Sequence, residues 1–224
     1  MNIVAIIPAR GGSQRIPCKN LHPFAGIPLI AHTIGHALRS GLVTRVIVST
    51  DDGEIAEVSL SFGAEIITRP PELSGATATS ESALINVLDQ LQEKEGYVPD
   101  LVVFLQCTSP LRADDDIDNA VKLFLEKQAD SLFSACRLDK YFWRVVGDSV
   151  EPINYDYRKR WREQDFPPQF LENGSIFVCK PSLLRSEGNR LGGKIALYEM
   201  AYLNSFQIDS PDDILLCECL LNRR

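Results

Sequence analysis

Apolar strands alternate with amphipathic helices over the first 136 residues, and this alternation limits the possible folds more than any other feature. Strand-like runs occupy residues 2–7, 45–50, 64–68, 101–105 and 131–135, with helical patterns between them. Four strand–helix crossovers predict an α/β fold, a three-layer αβα, Rossmann-like sheet of mainly parallel strands. Ligands of such sheets bind at the carboxyl ends of the strands. We therefore expect one crevice, bordered by residues 7–20, 49–52, 68–71 and 106–112.

Composition and charge exclude several classes of protein. The 224 residues are 45% hydrophobic and 24% charged, as in ordinary globular domains, and their net charge is −7. This acidic balance argues against nucleic acid or an anionic membrane as a partner. Position 1 leads directly into a strand, and no apolar run approaches the ~18 residues of a membrane span, so a cytoplasmic protein is expected. The six cysteines contain no C-x-x-C pair and are expected to be reduced.

A glycine-rich, basic loop follows the first strand. Residues 8–20 read Pro-Ala-Arg-Gly-Gly-Ser-Gln-Arg-Ile-Pro-Cys-Lys-Asn. Glycines allow a backbone to approach a ligand closely, and free N–H groups with fixed positive charge bind phosphates. The spacing matches neither the G-x-x-x-x-G-K-[ST] loop nor the G-x-G-x-x-G turn. The loop therefore predicts a polyphosphate site of another kind.

The alternation stops after residue 136. Residues 137–172 are dense in aromatic side chains mixed with charge and proline. A long surface loop is one interpretation, but such a density of aromatic residues needs a partner surface, and we favour a self-associating arm. Beyond it we predict a strand at 174–179, a last strand at 201–208 and a final helix that Ser210 caps, with Pro211 at its first position.

Further motifs accompany the loop in order along the chain. They are Ser49-Thr50-Asp51, residues 105–112 (Leu-Gln-Cys-Thr-Ser-Pro-Leu-Arg), Glu172-Asn173-Gly174-Ser175, residues 192–200 (Gly-Gly-Lys-Ile-Ala-Leu-Tyr-Glu-Met) and Ile208-Asp209. Together with the loop, this set resembles the CMP-sialic acid synthetases, or acylneuraminate cytidylyltransferases. The resemblance implies a homodimer whose subunits transfer the cytidylyl group of CTP to a nine-carbon 2-keto sugar acid, a nonulosonic acid, releasing pyrophosphate.

The same resemblance implies a division of the chain and roles for its residues. Residues 1–136 would be the nucleotide-binding core, 137–172 a dimerisation and substrate arm, and 173–224 the return to the core with the sugar and metal site. Catalysis would rest on Arg10, Lys19 and Asp209. The implied nucleotide-binding residues are Ala9, Arg10, Gly11, Gly12, Ser13, Arg15, Lys19, Asn20, Arg69, Ser80 and Gln106. The implied acid-binding residues are Gln106, Arg160, Arg162, Asn173 and Phe177.

Some of these roles have simpler alternatives. Ser80 also fits a plain helix cap, and Arg160 and Arg162 also fit an ordinary exposed charge cluster. His32 and His36 lie one helical turn apart, but the sequence offers no third zinc ligand, so both are expected to be packing or surface residues.

The metal site is where the chain departs from the family pattern. The family commonly has Asp-Ile-Asp near the end of the chain, with two carboxylates for Mg²⁺, and here the sequence reads Gln207-Ile208-Asp209. An amide ligates hard cations weakly. Either Asp209 holds one Mg²⁺ with phosphate oxygens and water, which we favour, or Asp51, Asp212 or Asp213 is recruited.

Two other functions remain open at this point. The chain could use another small acid or another nucleotide, because contacts to the base are few. It could also be a catalytically silent nucleotide-binding subunit, an alternative that the glutamine at position 207 motivates. Pyrophosphate release with CTP, Mg²⁺ and a panel of acids separates these possibilities.

Overall fold

A computed structural model describes residues 1–13, 15–75, 77–162 and 165–223. Along the chain the elements are β1 (Ile3–Pro8), β2 (Pro23–Phe24), β3 (Ile27–Pro28), α1 (Leu29–Arg39), β4 (Arg45–Thr50), α2 (Gly53–Ser61), β5 (Glu65–Thr68), α3 (Ser80–Glu95), β6 (Leu101–Leu105), α4 (Asp116–Glu126), β7 (Ser131–Arg137), β8 (Trp143–Val146), β9 (Ser149–Pro152), β10 (Phe170–Cys179), α5 (Pro181–Glu187), β11 (Ile195–Glu199) and α6 (Pro211–Leu221). No helix among these described residues is long and apolar enough to cross a bilayer.

The described residues form a central sheet of seven strands in the order β11-β7-β10-β6-β1-β4-β5. Neighbouring strands are parallel except at β10, which runs antiparallel to both β6 and β7. The mainly parallel sheet is thereby confirmed. Because β10 is reversed, its first half lies at the edge where β6 ends, and Ile176 pairs with Leu105.

Helices cover both faces of the sheet. Side chains of β1 alternate between two apolar layers, so that Ala5 and Ile7 pack on one side, and Val4 and Ile6 on the other. Helices α1, α2 and α4 bury apolar side chains in the first layer, and α3 and α5 do so in the second. This is the predicted three-layer αβα architecture. Such double coverage explains why β1, β6 and residues 46–48 of β4 are continuously apolar rather than alternating.

The last helix packs on a smaller apolar cluster of its own. Cys217 of α6 and Ile208 before it contact Phe24, Leu29 and Leu111. The predicted start of α6 is correct: Ser210 and Asp213 form a reciprocal capping box, and Pro211 is the first helical residue. This cap fixes the chain directly after Asp209.

Two local predictions are wrong. Residues 201–208 form a 3₁₀ turn (Tyr202–Asn204) and irregular chain instead of a strand, because the edge of β7 is already paired with β11. The cap of α3 is Thr79, whose hydroxyl accepts from the Ser82 N–H at 3.2 Å, and Ser80 is the first helical residue.

Residues 138–162 and 165–169 lie outside the central sheet. Strands β8 and β9 make a two-stranded hairpin whose side chains are almost all exposed, including the cross-strand pair Val145 and Val150. A hairpin of two strands gains little stability by itself in water. The division of the chain at residues 136 and 172 stays a prediction.

Candidate active site

A cleft with two lobes opens where β1 and β6 end. The first cavity, the basic lobe, has a volume of about 390 Å³ and is lined by Pro8, Arg10, Ser13, Arg15, Lys19, Asn20 and Asp209. The second, the amide lobe, has a volume of about 360 Å³ and is lined by Pro8, Arg10, Asn20, Ser80, Phe104, Gln106, Cys107, Thr108, Gln207 and Asp209. The lobes share four residues, so they form one continuous site.

The loop after β1 is held by its backbone. Ala9 donates its N–H to Ser49 O at 2.9 Å, and the N–H of Gly11 donates to Asp51 Oδ1 at 3.2 Å. The Asn20 amide Nδ2 donates to Arg10 O at 3.1 Å and closes the loop. A Cβ atom on Gly11 would overlap the carboxylate of Asp52, so this position needs a glycine.

The other small residues of the loop are less constrained. Gly12 has open space around the position of a Cβ atom. The N–H of Ser13 donates to Gly11 O at 2.9 Å, which keeps Ser13 at the wall of the basic lobe. Gln14, between these residues and Arg15, lies outside the described residues.

Positive charge dominates the basic lobe. Lys19 Nζ lies 3.1 Å from Ile208 O and 3.1 Å from Asp209 Oδ1, and Arg15 Nη1 lies 3.9 Å from the same carboxylate oxygen. Arg10 Nη1 donates to Gly75 O at 2.9 Å. The basic lobe is therefore lined by three cations and one carboxylate, an arrangement that attracts a polyanion.

Asp209 is the carboxylate that both lobes present, and its side chain is 43% exposed. Of the alternative metal ligands, Asp213 already accepts from the backbone of Asp209 and Ser210, and Asp51 accepts from Gly11. No group of three or more His, Cys, Asp or Glu side chains suited to a metal occurs within the described part of the chain. Mg²⁺ is commonly held by one or two carboxylates together with substrate phosphates and water, and Asp209 fits that role.

Gln106 stands at the end of β6 above a buried arginine. Arg112 Nη2 donates to Gln106 O and to Ser175 O, both at 2.7 Å, and Nη1 donates to Thr33 Oγ1 at 3.1 Å. Burial lowers the pKa of Arg112 to about 10. Arg112 thus ties β6, β10 and α1 together beneath the amide lobe. No role was predicted for Arg112 from the sequence. Its place as the last residue of the 105–112 motif, directly after an apolar strand, could have indicated one.

Three of the sequence-predicted residues lie behind the cleft wall. Arg69 is buried, donates to Ser49 O at 2.6 Å and to Ser49 Oγ at 3.2 Å, and burial lowers its pKa. Phe177 is buried and stacks on Phe104 with ring centroids 5.4 Å apart, so Phe104 is the aromatic ring that reaches the lobe. Asn173 is buried too, and all its side-chain polar atoms bond within the protein.

A cation supports this wall from behind. The guanidinium of Arg190 lies 4.4 Å from the ring centroid of Phe177 and forms an ion pair with Glu81 in the first turn of α3. This pair holds the turn that carries Ser80 against the amide lobe. The sequence analysis did not identify Arg190, because the residues it contacts lie far from it along the chain.

The two arginines expected to bind an acid lie elsewhere in the chain. The guanidinium of Arg160 sits 4.2 Å from the ring centroid of Tyr141, in a separate cavity of about 380 Å³ that Trp161 and Phe166 also line. Arg162 is exposed and pairs with Asp165 at 2.5 Å. The described lining of the cleft thus includes neither residue.

A larger cavity is not part of this site. It measures about 680 Å³, is mostly apolar, and lies at the opposite edge of the sheet, where β6 begins and β10 ends. Lys180 is the one Lys or Arg side chain among its described lining residues, whereas Arg10, Arg15 and Lys19 all line the basic lobe.

The fold and the cleft define a Rossmann-like α/β protein with a basic, glycine-containing loop at the strand ends. The sequence matches the cytidylyltransferase family over residues 4–211. The chain therefore belongs to the cytidylyltransferase family, and the resemblance noted in its motifs is confirmed.

Individual relatives agree with this assignment. The chain is 38% identical over 218 residues to N-acylneuraminate cytidylyltransferase A of Danio rerio, which covers 95% of this chain and 49% of that protein. It is 32% identical over 222 residues to N-acylneuraminate cytidylyltransferase of Streptococcus agalactiae serotype III, covering 96% and 52%. It is 34% identical over 181 residues to pseudaminic acid cytidylyltransferase of Campylobacter jejuni, covering 79% and 78%. The chain thus spans about half the length of the first two relatives.

Solved structures show the same fold at low identity. CMP:2-keto-3-deoxy-manno-octonic acid synthetase, complexed with CTP, superposes with a TM-score of 0.76 at 19% identity, covering 100% of this chain and 99% of that one. The 4-diphosphocytidyl-2C-methyl-D-erythritol synthase of Anaerococcus prevotii gives a TM-score of 0.69 at 13% identity, covering 99% and 96%.

Proposed function

We propose that this chain transfers the cytidylyl group of CTP to a nonulosonic acid, giving the CMP-sugar and pyrophosphate. The observation that carries the proposal is that Arg10, Asn20 and Asp209 line both lobes. A single nucleotide could therefore place its phosphates in the basic lobe and its base in the amide lobe. The relatives named for N-acylneuraminate and pseudaminic acid support the choice of acceptor.

The reaction would be an in-line displacement at the α-phosphorus. The 2-hydroxyl oxygen of the sugar acid bonds to phosphorus and loses its proton to solvent, while the bond from phosphorus to pyrophosphate breaks. The barrier comes mainly from charge on phosphoryl oxygens, so positioned cations are the effective catalysts. Arg10 and Lys19 would neutralise the departing pyrophosphate, and Arg15 would add charge at the mouth of the basic lobe.

The amide lobe would recognise cytosine and the acceptor. Cytosine presents an amino donor beside ring acceptors, a pattern that side-chain amides and hydroxyls can match. Gln106 and Ser80 are the side chains placed to do so. Arg69, Asn173 and Phe177 would act from behind the wall by fixing the ends of β4, β6 and β10.

We also propose a requirement for Mg²⁺. Asp209 would hold the ion together with phosphate oxygens, and the ion would supply further positive charge to those oxygens. Lys19 now shares the Asp209 carboxylate, which keeps that side chain directed at the basic lobe.

The carboxylate of the acid substrate needs a cation to bind it. Among the described residues that line the amide lobe, Arg10 is the one Lys or Arg. We propose a homodimer in which Arg160 and Arg162 serve the neighbouring subunit. The exposed aromatic arm supports this arrangement. A cytoplasmic location is consistent with the free state of all six cysteines.

Pyrophosphate release tests the function. We expect release with CTP, Mg²⁺ and at least one acid from a panel of N-acetylneuraminate, its deaminated form, legionaminate and pseudaminate, and little release with UTP, ATP or GTP. Chelation of the metal should stop the reaction. An absence of release with every acid and every nucleotide would refute the proposal.

A further inference from the structure

Gly174 marks a point where three segments of the candidate active site meet. It lies at the irregular pairing of β10 with β7 and has φ +60°. A Cβ atom there would overlap Nε2 of Gln207 and come within 2.7 Å of Oε1 of Gln106. The bare backbone of Gly174 thus brings together the start of β10, the end of β6 and the segment that carries Asp209.

Gln207 uses its side-chain nitrogen at this point. Nε2 donates a hydrogen bond to the backbone oxygen of Asn173. A carbonyl oxygen only accepts, so the group that faces it must carry a proton. An ionised carboxylate, such as the aspartate of the family pattern, cannot make this bond. The glutamine therefore performs a task that the acidic residue cannot.

The partner of Gln207 is itself buried and hydrogen-bonded. Asn173 is buried, its Oδ1 accepts from Ser134 Oγ at 2.6 Å, and its Nδ2 donates to Ser205 Oγ at 2.9 Å. Two residues beyond Gln207, Asp209 contacts Lys19 in the basic lobe. The Gln207 amide consequently links a hydrogen-bonded part of β10 to the segment that completes both lobes.

We propose that Gln207 is a positioning residue for the acceptor acid rather than a second metal ligand. Its amide holds the Asn173–Gly174 backbone against Gln106, and so fixes the acceptor side of the amide lobe. The inference rests on the proposed function, because the acceptor is the acid named there. In the proposed function the triphosphate of CTP would lie in the basic lobe, which Gln207 does not line.

Two variants distinguish the loss of the Gln207–Asn173 hydrogen bond from the addition of a negative charge. Gln207→Met removes the donor at similar length, and Gln207→Glu removes it while adding a carboxylate. We expect both to raise KM for the acid about tenfold, the effect of one lost buried hydrogen bond, with KM for CTP changing less than about twofold. In electron paramagnetic resonance titrations with CTP present, Gln207→Glu should bind Mn²⁺ no more tightly than the unaltered protein.

Hydrogen exchange gives a readout that needs no turnover. The Ser175 N–H donates to Asn173 Oδ1 at 3.2 Å, and its exchange should accelerate in Gln207→Met. Gln90→Met is the matched control, because Gln90 Nε2 also donates to a backbone oxygen, that of Thr68 at 3.1 Å, outside the cleft. It should change neither the acid KM nor the Ser175 exchange.

The outcomes are distinct. An unchanged acid KM in both variants, unchanged Ser175 exchange, or tighter Mn²⁺ binding by Gln207→Glu would each overturn the inference. If the unaltered protein turns over no acid at all, the proposed function fails. The exchange and Mn²⁺ measurements still decide whether Gln207 holds the Asn173–Gly174 backbone rather than a metal ion.

Discussion

Lys19 is the residue in which burial and charge are most closely combined. Its Nζ atom is held by Ile208 O and Asp209 Oδ1, and only 15% of its side chain is exposed. The cation is therefore directed into the basic lobe before any ligand enters. Such prior placement is what makes a charged group effective against developing phosphoryl charge, since no reorganisation is needed during the reaction.

We expect Lys19→Met to lower kcat/KM for CTP by about 100-fold or more, the usual effect of losing one preorganised donor. Steady-state pyrophosphate release measures this. Lys122→Met, at an exposed position of α4, serves as the control and should keep the original kcat/KM. Similar losses in the two variants would show that Lys19 has no special role.

Arg112 allows a second prediction, on stability. Lysine keeps the charge but cannot reach Gln106 O, Ser175 O and Thr33 Oγ1 together, because it lacks the planar fork of the guanidinium. We expect Arg112→Lys to reduce the free energy of unfolding by about 2–3 kcal/mol, since buried acceptors lose their donors. Urea unfolding should show this loss, and Arg185→Lys, in a surface pair with Asp89, should stay within about 0.5 kcal/mol.

At the scale of single residues, the sequence predicted well which residues lie near the cleft. It predicted less well the direction of each side chain. Arg10, Lys19, Asn20 and Asp209 do line the cleft. Arg69 directly follows β5, and Asn173 and Phe177 belong to β10, but the side chains of all three turn into the protein. Position in a motif identifies the strand end, whereas the direction of a side chain depends on the layer packed against it.

Elements with local signals were predicted well. The Ser-Pro-Asp-Asp sequence at the start of α6 carries its own cap, because each hydrogen bond of the capping box joins residues at most three positions apart. The strand expected at residues 201–208 failed for the opposite reason. A strand needs a free edge to pair with, and β11 already occupies that of β7.

Helix α1 contains a pH-sensitive group. Burial lowers the pKa of His32, an effect that its hydrogen bond to Phe24 O partly opposes and the charge of Arg39 reinforces. In the window just below pH 6.5, the unfolded chain therefore binds more protons than the folded protein, and stability falls as the pH falls.

We expect the free energy of unfolding to decrease between pH 7.5 and pH 5.5, and to decrease less in His32→Gln, which does not titrate. Denaturant unfolding at a series of pH values gives the two slopes. Identical slopes for the two proteins would mean that His32 does not contribute to the pH dependence.

At the scale of the whole molecule, the exposed hairpin leads to a prediction about assembly. Val145 is 77% and Val150 62% exposed, and they pair across β8 and β9. A lysine at an apolar interface is costly because its charge is desolvated without a partner. We expect Val145→Lys with Val150→Lys to convert a dimer into a monomer at micromolar concentration.

Light scattering reads the mass directly. Val98→Lys, at another exposed valine far from the hairpin, should leave the dimer intact. A monomer for the unaltered protein would contradict the proposed arm, as would a dimer that survives the double substitution.

The sequence alone determined the layered α/β fold, the basic glycine-containing loop and the capped final helix, because strand periodicity, glycine placement and caps are local properties. Only the tertiary structure showed that β10 runs against its neighbours, which brings Asn173 and Gly174 beside Gln106. It alone revealed the contacts of Arg112, Arg190 and Gln207. Most of their partners lie tens of residues away along the chain and meet through packing, which no local pattern encodes.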